Sequence, residues 1–190
     1  MTKTVSPARA TAEECLLDAA ERLLVDVGYG GITTRRLAEN AGVNHGLVHY
    51  YFGSNENLLV QMLERFTARL IARQEELYAS DAPFVDKWRT AMAHLIGEDR
   101  DYEKVWLELQ ALGWNDAGLR ERLARVNAEW RAVLTDAFAE PHRELGITMP
   151  LDALVSLVIT FNVGMIVERL GGIETGHDEL LDWIDGWLSS

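Results

Sequence analysis

A chain of 190 residues, 48% of them hydrophobic, can bury the core of one or two small domains. Its single cysteine, Cys15, excludes a disulfide framework and a multi-cysteine metal site. A formal charge of −12 argues against a nucleic-acid binder if the charge is spread evenly, but it is not: residues 1–54 carry five Lys/Arg against six Asp/Glu, and the remainder 13 against 24.

Residues 1–11 are polar, lack the apolar stretch of a signal peptide, and read as a disordered arm bearing Lys3 and Arg9 that ends at a capping Thr11. A first helix is predicted over about 12–27, with Leu16, Ala19, Ala20, Leu23, Leu24 and Val27 on one stripe and Cys15 packed beside it. Gly28, Gly30 and Gly31 make a loop from which Ile32 folds inward. No strand precedes this glycine run, so it is not a phosphate cradle.

The segment 34–53, TRRLAENAGVNHGLVHYYFG, reads as two short helices joined by a tight turn. Thr33 caps the first, and Leu37, Ala38 and Ala41 share a face. Gly42 supplies the left-handed residue that ends it, Val43 plugs the turn, and Asn44 caps the second helix. Val48, Tyr51 and Phe52 form the apolar side of that second helix. At about 100° per residue, placing Val48 in the core leaves Gly46, His49 and Tyr50 outward, flanked by His45 and Leu47. This is helix-turn-helix grammar, in which the second helix enters a DNA major groove. Ordinary packing of two helices would give the same spacing.

The following helix is capped by Ser54 and continues to about residue 78, with Leu58, Leu59, Met62, Leu63, Phe66 and Leu70 inward. Gly28, Thr33, Leu37-Ala38, Ala41-Gly42-Val43, Gly46, Tyr51-Phe52-Gly53-Ser54 and Leu58-Leu59 fall in one register. In that register, residues 10–66 resemble the N-terminal DNA-binding domain of TetR-like (tetracycline-repressor) regulators. The chain departs from the usual pattern at Asn44-His45 (commonly Ser-Lys), His49 (commonly Tyr) and Asn55 (commonly Lys). Two customary phosphate-binding cations are absent, which predicts modest non-specific binding and a shallow salt dependence. The resemblance implies an all-α fold of about nine helices. Residues 1–54 would form a helix-turn-helix domain, and 55–190 a helical effector-binding and dimerisation domain. It implies DNA contacts from Thr33, Thr34, Arg35, Asn44, His45, Gly46, Leu47, His49, Tyr50 and Asn55.

Five more helices are predicted, over about 83–97, 100–113, 116–139, 150–170 and 177–188, with a loop at 140–149 that holds Pro141. Phe84, Trp88, Met92 and Leu95 face inward on the first of these, and Tyr102, Val105, Trp106, Leu109 and Leu112 on the second. The 153–167 run contains Asn162 and is shorter than the ~20 residues of a membrane span, so a cytoplasmic location is expected. Being apolar nearly all round, that helix needs cover on several sides. Either it is a buried core helix, or it and the 177–188 helix pair with a second copy in a four-helix dimer interface. The latter agrees with the role of the last two helices in the TetR-like family.

Trp88, Met92, Trp106, Trp114, Trp130, Phe161 and Met165 concentrate in these middle helices, as core or as the lining of a cavity. Asn162 within an apolar run requires a hydrogen-bond partner. The family resemblance favours an effector cavity, with a bound molecule moving the helix after Ser54 and so the two reading heads. No Ser/His/Asp order, GxSxG, HExxH or P-loop is present, and no catalytic role or cofactor is expected. His45 and His49 stand four apart without a third metal ligand near. The sequence therefore points to a ligand-responsive, sequence-specific DNA-binding regulator, by default a repressor, that partners with operator DNA, a small apolar or aromatic effector and a second copy. The alternative is a helical protein-interaction module without specific DNA binding.

Overall fold

The computed structural model describes residues 11–189, and the expected Lys3/Arg9 arm lies outside the described residues. The described residues hold nine α-helices and no strands, grouped in two compact units, 1–63 and 64–190. The division falls within the fourth helix, whose first turns carry the buried Leu58, Leu59, Met62 and Leu63.

In the first unit, α1 (Ala12–Val27) opens with a reciprocal cap. The Thr11 hydroxyl accepts the Glu14 N–H at 3.2 Å, and the Glu14 carboxylate accepts the Thr11 N–H at 2.7 Å. Its stripe of Leu16, Ala19, Ala20, Leu23 and Leu24 is buried, but Val27 is not. Val27 instead lies over Gly31 in the short 3-10 turn Tyr29–Gly31, where a Cβ on the glycine would come within 2.6 Å of the valine. Helix α2 (Thr34–Ala41) starts at the Thr33 hydroxyl, which accepts the Arg36 N–H. It stops at Gly42, at φ 67° and ψ 30°. Helix α3 (Gly46–Phe52) follows after three residues, and α4 (Asn55–Ala79) begins where the Ser54 hydroxyl accepts the Asn57 N–H.

The second unit takes the rest of α4 with α5 (Phe84–Ala93), α6 (Arg100–Gly113), α7 (Ala117–Glu144), α8 (Leu151–Leu170) and α9 (His177–Leu188). The helix expected to run to residue 97 changes pitch: His94–Glu98 is a π-helical turn, closed by the Asp99 N–H on the His94 carbonyl. The expected loop at 140–149 is also shorter than predicted. Helix α7 carries on through Pro141, whose buried ring adds apolar contact that offsets the missing N–H. It ends where Gly146 (φ 60°) and Ile147 return their N–H groups to the carbonyls of Arg143 and His142.

The core of this unit is Trp88, Met92, Phe138, Leu154 and Val158, with Leu181, Ile184 and Leu188 of α9 packed against it. The opposite stripe of α9, Leu180, Trp183 and Trp187, is exposed, as are Leu157 and Val167 of α8. At 20 residues and a mean hydropathy of 1.7, α8 is long and apolar enough to cross a membrane, although the 153–167 run alone read as too short. Only 28% of its apolar window is buried within the chain.

Gly42 and Gly31 of the first unit should fail differently on substitution. At Gly42 a Cβ meets nothing within 4 Å, so G42A costs only the left-handed backbone strain, about 1–2 kcal/mol in urea denaturation. At Gly31 the collision with Val27 adds to the cost, and G31A should be the more destabilising of the pair.

Candidate nucleic-acid interface and internal cavity

The orientation of α3 is set by what it buries. Val48 and Phe52, four residues apart, are almost fully buried and dock the helix on α1 and α2. Tyr51, expected on this apolar side, is 38% exposed: the two buried residues fill the contact of a helix only 7 residues long, and Tyr51 lies at its flank, edge-on to Tyr50. The outward face carries His45, Gly46, His49 and Tyr50, all exposed, with Tyr50 at 78%. Leu47 is half-buried.

This face is held by local hydrogen bonds. His45 occupies the cap position without a side-chain bond, and Asn44 supplies the acceptor instead, its Oδ1 taking the Gly46 N–H at 2.9 Å. A Cβ on Gly46 would press that oxygen at 3.3 Å, so the glycine serves the cap as well as leaving the surface open. His49 Nδ1 lies 3.1 Å from the Gly53 carbonyl, which can only accept. Nδ1 therefore carries the hydrogen, and Nε2 of the neutral ring is left as an acceptor on the exposed side. An acceptor there matches the exocyclic amino groups of adenine or cytosine in a major groove.

At the start of α2, Thr33 is exposed and Thr34 half-buried. Arg35 is exposed but engaged with Glu39 at 2.8 Å, an i,i+4 pair legible in the spacing. Arg36 donates to the Gly31 carbonyl at 2.8 Å, which ties the preceding loop to α2. The Asn55 side chain lies outside the described residues. Thr33, Thr34, Arg35, Asn44, His45, Gly46, Leu47, His49 and Tyr50 thus come from two adjoining helices and the turn between them.

The second unit contains a cavity of about 520 Å³. Trp88, Met92, Trp106, Trp114, Trp130 and Asn162 line it, with Trp114 at the rim, 74% exposed. Phe161 and Met165 do not. Phe161 stacks on Trp88 at 6.4 Å from the core side, and Met165 is buried elsewhere on α8. Val158, Ile159, Asn162, Val163 and Ile166 form the lining face of α8, and at about 100° per residue Phe161 and Met165 fall off it. The lining also includes Gln74 and Tyr78 of α4, and Tyr102 and Glu103 of α6, which sequence reasoning did not select. Tyr102 was expected at a core position.

The polar groups of the lining are mostly tied down. Asn127 Oδ1 accepts from Trp106 Nε1 and Gln110 Nε2, and Tyr102 bonds Thr67 and Trp130. Burial pushes the Tyr78 and Tyr102 hydroxyls up to about 12. Asp99 is raised by burial, against the pull of its ion pair with Arg73. Burial, with Asp99 one turn away, pushes the Glu103 carboxyl from 4.5 up to about 8. Among the described residues no group of His, Cys, Asp and Glu is placed to hold a metal.

Residues 16–62 match the model for bacterial regulatory proteins of the tetR family. The chain is 28% identical over 177 residues to the HTH-type transcriptional repressor AcnR of Corynebacterium diphtheriae, covering 90% of this chain and 87% of that one. It is 39% identical over 57 residues to the HTH-type transcriptional regulator BetI of Rhizobium meliloti, covering 30% of this chain and 28% of that one. Two solved structures share the fold. A TetR-family regulator from Rhodococcus sp. matches with a TM-score of 0.73 at 23% identity over 93% of this chain and 98% of that one. FadR of Bacillus subtilis in complex with stearoyl-CoA matches with a TM-score of 0.71 at 16% identity, over 93% of this chain and 97% of that one.

The Glu103 carboxyl binds its proton more tightly folded than unfolded, so its contribution to stability is complete below about pH 4.5 and is lost as pH rises through about 8. Glu103→Gln should therefore melt close to the parent near the lower of these values. It should melt increasingly above the parent as the upper one is approached, read by thermal denaturation across that range.

Proposed function

The chain belongs to the tetR family of bacterial regulatory proteins, and from that premise we propose that it is a cytoplasmic, homodimeric repressor that reads operator DNA through α3 and releases it when a small apolar or aromatic effector occupies the cavity. The observation that carries the reading is the exposed His49–Tyr50 face of α3, opposite the buried Val48 and Phe52 and held at a fixed angle by the left-handed turn at Gly42. Thr33, Thr34 and Arg35 at the start of α2 are the phosphate-facing partners, with Arg35 exchanging Glu39 for DNA. Residues 1–54 form the DNA-reading part and 55–190 the effector and dimerisation part, with α4 common to both. No catalytic role is proposed.

Dimerisation through α8 and α9 is supported by the stripe of Leu157, Val167, Leu180, Trp183 and Trp187, apolar and exposed on the single chain. A two-fold pair of these helices would give two reading heads for half-sites about 34 Å apart. Helix α4 begins one residue after the Ser54 cap beside α3 and, through Gln74 and Tyr78, lines the cavity near its other end. An effector that favours one position of α4 shifts the population of DNA-competent dimers by its difference in affinity for the two states.

Gel-shift titration on the DNA upstream of the chain's own gene tests the reading. Wild type should give a sequence-specific shift. His49→Ala and Tyr50→Ala should each weaken it by about tenfold or more, a scale set by 1–3 kcal/mol per base contact. Circular dichroism and sedimentation should be unchanged. A shift insensitive to both substitutions would sink this placement of the reading face. Trp183→Glu should in turn give monomers in sedimentation, with DNA affinity lost and helix content kept.

A further inference from the structure

We infer that the cavity of the second unit takes an organic monocation, a protonated amine on an apolar body, with the Glu103 carboxylate as its counter-charge. This rests on reading the cavity as the effector site. Acids outnumber available cations there. Asp99 and Glu103 both line the cavity, one helical turn apart at the start of α6, with the Glu103 N–H on the Asp99 carbonyl at 2.9 Å. Arg73 is divided between Asp99, which it pairs, and Glu98 at 3.6 Å. Among the described residues no ion pair within 4.0 Å reaches Glu103. Arg131, the cation of the lining, is exposed and donates to the Ser156 hydroxyl at 3.1 Å. Arg100 and Arg169 share a separate small cavity of about 60 Å³ with Glu103 without pairing to it.

The hydrogen-bonding inventory points the same way. Gln74 Oε1 and Asn162 Oδ1, both on the lining, are buried acceptors without partners, and Trp88 Nε1–H is a buried donor without one. The two Glu103 oxygens on the same lining add acceptors to these. An ammonium group brings three donors, whereas a carboxylate brings none and would lie against two acids. Around these groups stand six aromatic residues, Tyr78, Trp88, Tyr102, Trp106, Trp114 and Trp130. The indole N–H groups of Trp106 and Trp130 are pinned by Asn127 and Tyr102, which fixes ring faces on which a cation is stabilised. The reluctance of Glu103 to ionise, caused by burial and by Asp99, is what an acid without a paired cation shows, and a bound cation reverses it.

Three probes of one shape separate charge from fit: 4-phenylbutylamine, 4-phenylbutanol and 4-phenylbutyrate, each titrated against the full chain near neutral pH by tryptophan fluorescence. The amine should bind about tenfold or more tighter than the alcohol or the acid, since a charge pair away from bulk water is worth more than a neutral contact. Glu103→Gln should erase that advantage while alcohol binding stays within about twofold, which also reports an intact cavity. Alcohol or acid binding as tight as the amine, an amine preference that survives Glu103→Gln, or no saturation with amine at millimolar concentration would each overturn the inference. A gel shift without probe separates the two failures. Specific DNA binding with no amine preference rejects the cation site alone, whereas an amine preference without DNA binding rejects the regulator.

Discussion

Everything the first unit presents to a partner depends on one backbone event, the left-handed turn at Gly42. Its N–H reaches back to the carbonyls of Ala38 and Glu39, which closes α2, and the Val43 N–H takes the Ala38 carbonyl at 3.0 Å. Only a residue without a Cβ adopts this conformation at little cost, and among the described residues every positive φ falls on a glycine. With the turn direction set, Val48 and Phe52 have one place to go, and the opposite face of α3 is outward as a consequence. The exposed face is thus specified from the inside.

Much of this was legible in the sequence because it is local. Thr11, Thr33, Gly42 and Ser54 act within a few residues of themselves, and caps and turns are short-range chemistry. The errors share a different origin. Tyr51 and Val27 fit the apolar period but lie at helix flanks, where the neighbour decides their exposure. Pro141 carries a strong helix-stop signal that a buried position overrode. The π-helical turn at His94–Glu98 has no signature in periodicity at all.

The cavity shows where sequence reasoning stops. Tryptophans could be counted and assigned to the middle helices, yet which of their neighbours face the same space depends on how α4, α6, α7 and α8 are arranged. Phe161 and Asn162 are adjacent in sequence, and only Asn162 reaches the lining. Glu103 sits on an amphipathic helix rich in charge and has the period of a solvated residue. Its position is informative only once Arg73 is seen to be engaged by Asp99 and Glu98. A charge with no partner is a property of three-dimensional neighbourhood.

The acidic balance then acquires a physical reading. In the described part of the first 54 residues the cations are Arg22, Arg35 and Arg36, of which Arg36 is held by the Gly31 carbonyl and Arg35 by Glu39. Few counter-ions can be released from a duplex by such a surface, so long-range attraction contributes little to each half-site. In the function proposed above, discrimination comes from short-range groups, the His49 ring, the Tyr50 hydroxyl and the open backbone at Gly46, and from two copies acting together. A regulator built this way tolerates a strongly acidic second unit, because that charge keeps it off non-specific DNA without weakening contacts made at hydrogen-bond distance. It is also easily switched. When binding rests on a few geometric contacts made twice, a small change in the spacing of the two heads removes both sets at once.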